Sequence, residues 1–361
     1  MSCRRTINQE EKKFMLQALL ACNMNELPKF TINNEDIARF NDDGVICLRN
    51  AIDAKWLNHL KRAAKDLESN PSTRSQTLCG TNSPITNSNL TYFTDLEISQ
   101  HKPQFDRFAR CSPVAAIAGT LMRSQNVCFL YDQYFRQQQE AVSTTLTTTA
   151  TAKDPSTTST TTATVPVTPW HQDQPYWSVE GSQVVSIWVP LDPTPPGFDV
   201  QFIQGSHRWQ EHCPTKFASG AAYKGTGQPN LPNIDQGIQE GTYQVLRFPD
   251  CMPGDVIAFS AMTVHGQSTN STNSIKSSSD SSSWWLEHPQ FRRLATRFTG
   301  DNARYKVRQG EAANVIPSSL YPALGLKDGD EMECERFPLV WTRSNGLKEA
   351  GEETGEETKR R

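Results

Sequence analysis

The sequence predicts a mostly β fold, a sandwich or barrel with helices decorating its N-terminal side. Three observations carry that reading. From Val127 onward the chain is a succession of short apolar runs broken by Pro and Gly: VCFLYDQYF, VVSIWVPL, VQFI, GDVIAFSAMTVH and RRLATRF. Runs of this length between turn residues have the signature of buried strands. Helical spacing of apolar residues, by contrast, is concentrated in the first part of the chain. Finally, no internal repeat breaks the pattern, and no apolar run approaches the roughly 20 residues of a membrane span.

Between Gln9 and Cys22, Phe14, Leu16, Leu19 and Leu20 fall near helical spacing, which predicts a helical extension within residues 1–30. A single domain is expected over 31–343. It opens with a short capped helix at Asn34–Phe40, stopped by Gly44, and a strand at Val45–Leu48. Asp53 is placed to cap a helix running to about Glu68, with Trp56, Leu60, Ala63, Ala64 and Leu67 on one face. The β-rich runs follow.

Two low-complexity insertions are expected, a Thr/Ser tract at 140–166 and a Ser/Asn tract at 267–288, and residues 344–361 form a charged tail. They account for much of the low apolar content, 36% for 361 residues. Such tracts bury too little apolar area to offset their ordering entropy, and loop closure grows costly only slowly with length. Both are expected to be inert loops. The charge balance, 36 Lys and Arg against 39 Asp and Glu, argues against a nucleic-acid-binding protein, which needs clustered positive charge. The first residues lack the apolar stretch of a secretory signal, so an intracellular, cytoplasmic protein is expected. Nine scattered cysteines without a Cys-x-x-Cys pair predict reduced, mostly buried thiols rather than a zinc or disulfide framework.

The densest chemistry lies in PWHQDQPYW, residues 169–177. On an extended strand, residues i and i+2 point to the same side, so His171 and Asp173 can offer an imidazole and a carboxylate to one point. A third ligand is needed, and two histidines compete for it. His265 closes the apolar run that the Pro253-Gly254-Asp255 turn launches, and His207 sits at a turn after VQFI. Two His and one carboxylate with three open positions form the facial triad of non-haem Fe(II) oxygenases. His59, His101, His212 and His288 lie in polar surroundings and are expected to be solvated. A cosubstrate carboxylate would need a cation, and FRRLATRF (291–298) offers Arg292 and Arg293 on opposite faces of a strand, with Arg297 on the Arg293 face.

These residues resemble the phytanoyl-CoA dioxygenase-like family of Fe(II)/2-oxoglutarate-dependent oxygenases. The resemblance runs in order through TPWHQDQPYW, SIWVPLDP, FIQGSHRW, PGDVIAFSAMTVHG, RRLATRFTGDNARY and FPLVW, roughly from Asp36 to Trp341. It implies a double-stranded β-helix, the cupin-like jelly roll, with Fe(II) held by His171, Asp173 and His265. It also implies 2-oxoglutarate anchored by Arg292 or Arg293, with Trp188, Gln133 and Tyr134 lining the site. Dioxygen would be the oxidant, ascorbate a stimulant, and an aliphatic C–H of a small or lipid-like molecule the target. Halogenases of this fold resemble the same pattern with a small residue in place of the carboxylate, so Asp173 favours hydroxylation. A cupin-like metal enzyme without 2-oxoglutarate and a non-catalytic jelly-roll protein are the competing readings.

Overall fold

The computed structural model describes residues 30–79, 90–139, 168–195, 199–217, 219–267, 288, 290–314 and 324–343. The predicted helical extension, nearly all of both low-complexity insertions and the charged tail lie outside these residues.

The first helix, α1 (Asn34–Asp43), begins where the Asn33 side chain accepts a hydrogen bond from the Asp36 N–H at 2.8 Å, and the Asp36 carboxylate accepts one from the Asn33 N–H, closing a capping box. It ends at Gly44, whose φ of 80° is the left-handed cap that glycine adopts without strain. A Cβ there would also come within 2.4 Å of the His207 ring. The strand β1 (Val45–Leu48) follows directly. Asp53 caps α2 (Ala54–Ser69) by accepting from the Trp56 N–H, and Leu60, Ala63, Ala64 and Leu67 form its buried stripe as their spacing predicts.

Two strands, β2 (Gln76–Cys79) and β3 (Leu90–Leu96), precede two helices absent from the sequence reading, α3 (Pro103–Cys111) and α4 (Val114–Met122). Helix α4 is buried almost all round, so VAAIAGTLM shows no polar face from which a period could be read. The remaining strands are β4 (Asn126–Gln139), β5 (Val179–Glu180), β6 (Val184–Pro190), β7 (Gln201–Ile203), β8 (Val245–Arg247), β9 (Val256–Ser260), β10 (His265–Gly266), β11 (Gln290–Thr299), β12 (Arg304–Tyr305) and β13 (Leu339–Thr342), with helix α5 (Ile234–Gln239) before β8.

Every pairing between these strands is antiparallel. The large sheet runs β1-β9-β6-β11-β4-β3-β2, and β13 pairs with the start of β4. A smaller sheet, β10-β7-β8, gains an edge from the bridge between His171 and His265. Aromatic and aliphatic side chains of both sheets mix in one layer: Val45, Trp188, Phe259 and Ala295 from the large sheet, Phe202 and Leu246 from the small one. The outer face of the large sheet packs Val185, Ile187, Val189, Leu294 and Phe298 against α2, α3 and α4. Two facing antiparallel sheets, one backed by helices, make the expected jelly roll.

Five cysteines (Cys47, Cys128, Cys213, Cys251 and Cys334) are free thiols, whereas Cys111 is disulfide-bonded, against the expectation of reduced thiols alone.

Candidate metal centre

His171, Asp173 and His265 converge in the interior, all three buried. The backbone does the positioning. The His171 N–H donates to the His265 carbonyl at 3.0 Å and the His265 N–H returns a bond to the His171 carbonyl at 2.9 Å, which sets the ring centroids 4.2 Å apart. The chains must approach closely for this, and Gly266 permits it. A Cβ there would fall 2.9 Å from the Thr168 carbonyl oxygen and the Trp170 Cα.

The strand-pleat argument for His171 and Asp173 does not hold in detail. Asp173 has helical torsions, φ −74° and ψ −43°, at the head of the tight turn Gln174–Tyr176. The Asp173 and Gln174 N–H groups both donate to the Ala261 carbonyl at 2.9 Å, so a turn pinned to the β9 end brings the carboxylate in. Nor does one strand run from Pro253 to His265: β9 stops at Ser260, the chain turns, and His265 joins the smaller sheet.

Each histidine has a defined free nitrogen. His171 Nδ1 lies 2.8 Å from the Pro169 carbonyl and His265 Nδ1 lies 2.9 Å from the Thr263 carbonyl. A carbonyl only accepts, so both Nδ1 atoms carry the proton and both Nε2 atoms present a lone pair. These Nε2 atoms lie 3.5 and 3.7 Å from Asp173 Oδ1. The other carboxylate oxygen accepts from Ser186 Oγ at 3.1 Å, from β6, which leaves Oδ1 for a cation.

The charges suit a divalent ion. Burial pushes the Asp173 carboxyl upward, but neighbouring His265, His171 and Arg297 together outweigh it and hold the carboxyl well below its usual range. Burial, with His171 beside it, pushes His265 down to about 3 despite the pull of Asp173, so its imidazole is neutral. A neutral His265 imidazole and an ionised Asp173 carboxylate are ligand states that metal binding requires. All three donor atoms lie within 4.8 Å of one another, and facial ligands about 2.1 Å from an ion need separations of about 3 Å. A small inward adjustment closes the set.

His207 takes no part: its Nε2 lies 3.0 Å from the Asn41 carbonyl at the rim. His59 likewise contacts the Gln104 carbonyl.

Beside the triad, β11 separates the two arginines. Arg292 points outward, and its Nε and Nη2 donate to the two Asp192 oxygens, each at 2.8 Å. Its Nε–Nη2 edge is thus taken by Asp192 on the side away from the triad, so the structure does not bring Arg292 to the centre. Arg293 points inward, its guanidinium carbon 4.4 Å from the Trp188 ring centroid and 5.1 Å from that of Phe135. Among the described residues no carboxylate pairs with it. Trp188 stands between Arg293 and the triad, its ring 5.8 Å from His265, and its buried indole Nε1 has no acceptor among the described residues.

The β4 candidates divide the same way. Gln133 faces inward, donating to Thr94 Oγ1 at 2.9 Å and accepting from Arg297 Nη2 at 3.0 Å. Tyr134 is corrected: it lies on the outer face, fully buried in the helix-packed core, and its hydroxyl donates to Glu68.

Two residues near the triad were not foreseen. Ser186 orients Asp173, and Arg297 is buried between Tyr131 and Trp177 with Nε and Nη1 unpartnered among the described residues. The alternation that puts Arg297 on the Arg293 face was the available signal. At the mouth, the half-exposed Phe217 packs edge-on against His171, ring centroids 4.7 Å apart.

Comparison with known proteins adds a family. Residues 40–278 match the profile of phytanoyl-CoA dioxygenase (PhyH). No curated protein matches the chain by sequence. Among solved structures, it is similar to the non-heme alpha ketoglutarate dependent epimerase SnoN from nogalamycin biosynthesis, with 17% identity over 84% of this chain and 96% of SnoN, at a TM-score of 0.54. It is also similar to the carbocyclase SnoK from the same biosynthesis, with 14% identity over 86% of this chain and 97% of SnoK, at a TM-score of 0.54. At these identities the likeness establishes the fold. The profile match covers well over half of the sequence, and the chain belongs to the phytanoyl-CoA dioxygenase (PhyH) family.

Proposed function

We propose that the protein is an Fe(II)- and 2-oxoglutarate-dependent dioxygenase that oxidises an aliphatic C–H bond of a small-molecule or lipid-like substrate. The observation that carries this reading is Arg293, a cation set among aromatic rings beside a His-x-Asp/His centre, with no carboxylate of its own among the described residues. A cupin-like metal enzyme without 2-oxoglutarate has no use for such a group.

Iron bound at the triad, with 2-oxoglutarate and dioxygen, supplies an oxidation that no side chain here can perform. The protein's part is placement. His171 Nε2, His265 Nε2 and Asp173 Oδ1 would hold the ion. The Pro169 and Thr263 carbonyls fix the histidine tautomers, and Ser186 fixes the carboxylate. Arg293 would grip the far carboxylate of 2-oxoglutarate in a fork geometry, with Trp188 Nε1 as a further donor. Phe202, Phe259 and Trp188 pack around His265 and keep this side of the centre dry.

An aspartate at position 173 favours hydroxylation over halogenation. SnoN and SnoK, an epimerase and a carbocyclase, are alpha ketoglutarate dependent, so C–H oxidation on this fold can also end in inversion or ring closure. A complex of SnoN contains Fe3+, alpha ketoglutarate and nogalamycin RO. No helix among the described residues is long and apolar enough to cross a membrane.

The test is spectroscopic first. Fe(II) and 2-oxoglutarate added without oxygen should give a metal-to-ligand charge-transfer band. Oxygen and ascorbate should then yield succinate. A protein that binds Fe(II) tightly yet gives neither band nor succinate is a metal enzyme of the other kind. One that binds no Fe(II) is not an enzyme of this type at all.

A further inference from the structure

A second convergence of reactive side chains lies on β1, away from the triad. The Sγ atoms of Cys47 and Cys251 are 3.7 Å apart although the residues are 204 positions apart in sequence. Cys47 alternates with the helix-packed Ile46 and Leu48, and so shares the inner side with Val45. It is half-buried, while Cys251 is 1% exposed. Both are free thiols.

The backbone around them is clamped. Arg49, two residues beyond Cys47, donates to Asp250 Oδ1 and to Asp255 Oδ2, each at 2.8 Å, and to the Asp250 carbonyl at 3.1 Å. Asp255 also accepts from the Asn50 and Met252 N–H groups, each at 3.0 Å, and the Thr194 N–H donates to the Cys251 carbonyl at 3.1 Å. The turn carrying Cys251 is therefore tied to the end of β1 that carries Cys47. The sulfurs need only close from 3.7 Å to the roughly 2.05 Å of a disulfide.

Asp255 completes a three-donor group with the two thiols, which could suggest a metal. Its carboxylate already accepts three hydrogen bonds, one of them from a guanidinium, and that positive charge repels a cation. The two thiols are left to each other.

We propose that Cys47 and Cys251 are an oxidative modification site, a dithiol that reacts with hydroperoxides to form a disulfide. The Cys47 thiolate attacks the outer oxygen of the peroxide, the O–O bond breaks, and hydroxide, or alkoxide from an organic peroxide, leaves. The sulfenic acid formed on Cys47 is then attacked by Cys251 sulfur. The S–O bond breaks, the Cys251 proton goes to the departing oxygen, and water leaves. Two thiols are oxidised and one peroxide is reduced. The order of attack follows the surroundings. The Cys251 hydrogen bond and Arg49 draw the Cys47 thiol below its ordinary range, whereas Cys47 and burial push Cys251 above it. Exposure agrees, since peroxide reaches Cys47 first.

The full-length protein, reduced and desalted, is treated with one equivalent of hydrogen peroxide, alkylated with iodoacetamide and digested with trypsin. Residues 40–49 and 248–276 each carry one cysteine of the pair and no other. The expected product is these two peptides cross-linked, 2 Da below their sum, and separated again by dithiothreitol. Cys251→Ser should trap the intermediate, giving a dimedone adduct at Cys47, and Cys47→Ser should give none at Cys251. Full alkylation of both cysteines after peroxide, or cross-links to other cysteines instead, overturns the proposal. So does protection of the pair from alkylation by equimolar Zn2+, which would make it a metal site. The wild-type measurement stands even where a variant fails to fold.

Discussion

Arg292 and Arg293 are adjacent in sequence and opposite in circumstance. On the outer face of β11, Arg292 is closed off by two hydrogen bonds to Asp192, and on the neighbouring β4 the outward Tyr134 is closed off by Glu68. On the inner face Arg293 rests on rings alone, and Trp188 Nε1 and two nitrogens of Arg297 lack partners among the described residues. The pleat sends alternate residues to two different environments. On the outer face these two groups are closed by the protein's own carboxylates. Unsatisfied buried donors cost about 1–3 kcal/mol each, so the Trp188 and Arg297 nitrogens beside the triad fit the proposal that a bound molecule completes the inner face.

The comparison breaks most visibly at the triad. Asp173→Ala removes the one anionic ligand, and turnover and the anaerobic charge-transfer band should fall by at least about 100-fold, a larger loss than altering the residues that merely orient ligands. An active Asp173→Ala enzyme would remove this carboxylate from the metal centre.

Next come the two arginines. Arg293→Ala should raise the KM for 2-oxoglutarate by about 100-fold, the scale for truncating one member of a buried charge pair. Arg293→Met in the metal-free protein should melt no lower than the parent, because it replaces a cation with no carboxylate partner among the described residues by an apolar side chain among aromatic rings. Arg292→Ala should do the reverse. Its KM for 2-oxoglutarate should be unchanged, and stability measured by urea unfolding should fall by about 2 kcal/mol as Asp192 loses its partner. A swap of these two phenotypes would invert the assignment of faces.

Much of this was legible in the sequence, but unevenly. The longer β runs, the Gly44 stop, the Asp53 cap, and the candidates His171, Asp173 and His265 followed from local chemistry and the family resemblance. The path by which they meet did not: Asp173 arrives through a turn and His265 through a second strand, both fixed by hydrogen bonds to residues about ninety positions away. Periodicity could place Arg292 and Arg293 on opposite faces but could not say which face was inner, because the FRRLATRF run has small or apolar residues on both. The PhyH profile match ends at residue 278, before β11, so only β11 pairing between β6 and β4 decides it. Tyr134 was misplaced for the same reason, and the unbroken apolarity of α4 hid that helix.

The finest test of the two faces is their response to pH. On the inner face, His265 is held near 3 against about 6.5 in an unfolded chain. The unfolded state takes up a proton that the native state refuses, so this stability is present above 6.5 and is lost as pH falls toward 3. On the outer face of β4, Asp132 is fully buried and burial pushes its carboxyl up to about 7, over the opposing effect of its Ser99 hydrogen bonds and with Glu97 adding to the rise. There the native state keeps a proton that the unfolded chain has released. That stability is present below about 4 and is lost as pH rises through 7. The two slopes oppose one another between pH 4 and 6.5. Asp132→Asn keeps an oxygen to accept from Ser99 and removes only the outer-face titration. Unfolding of the metal-free variant and parent in urea, compared at a series of pH values, should show the variant gaining about 1 kcal/mol per pH unit from pH 4 to 7, with no further gain above. A constant difference across that range would mean that Asp132 titrates as an ordinary carboxylate, and that the outer face is not as dry as its packing implies.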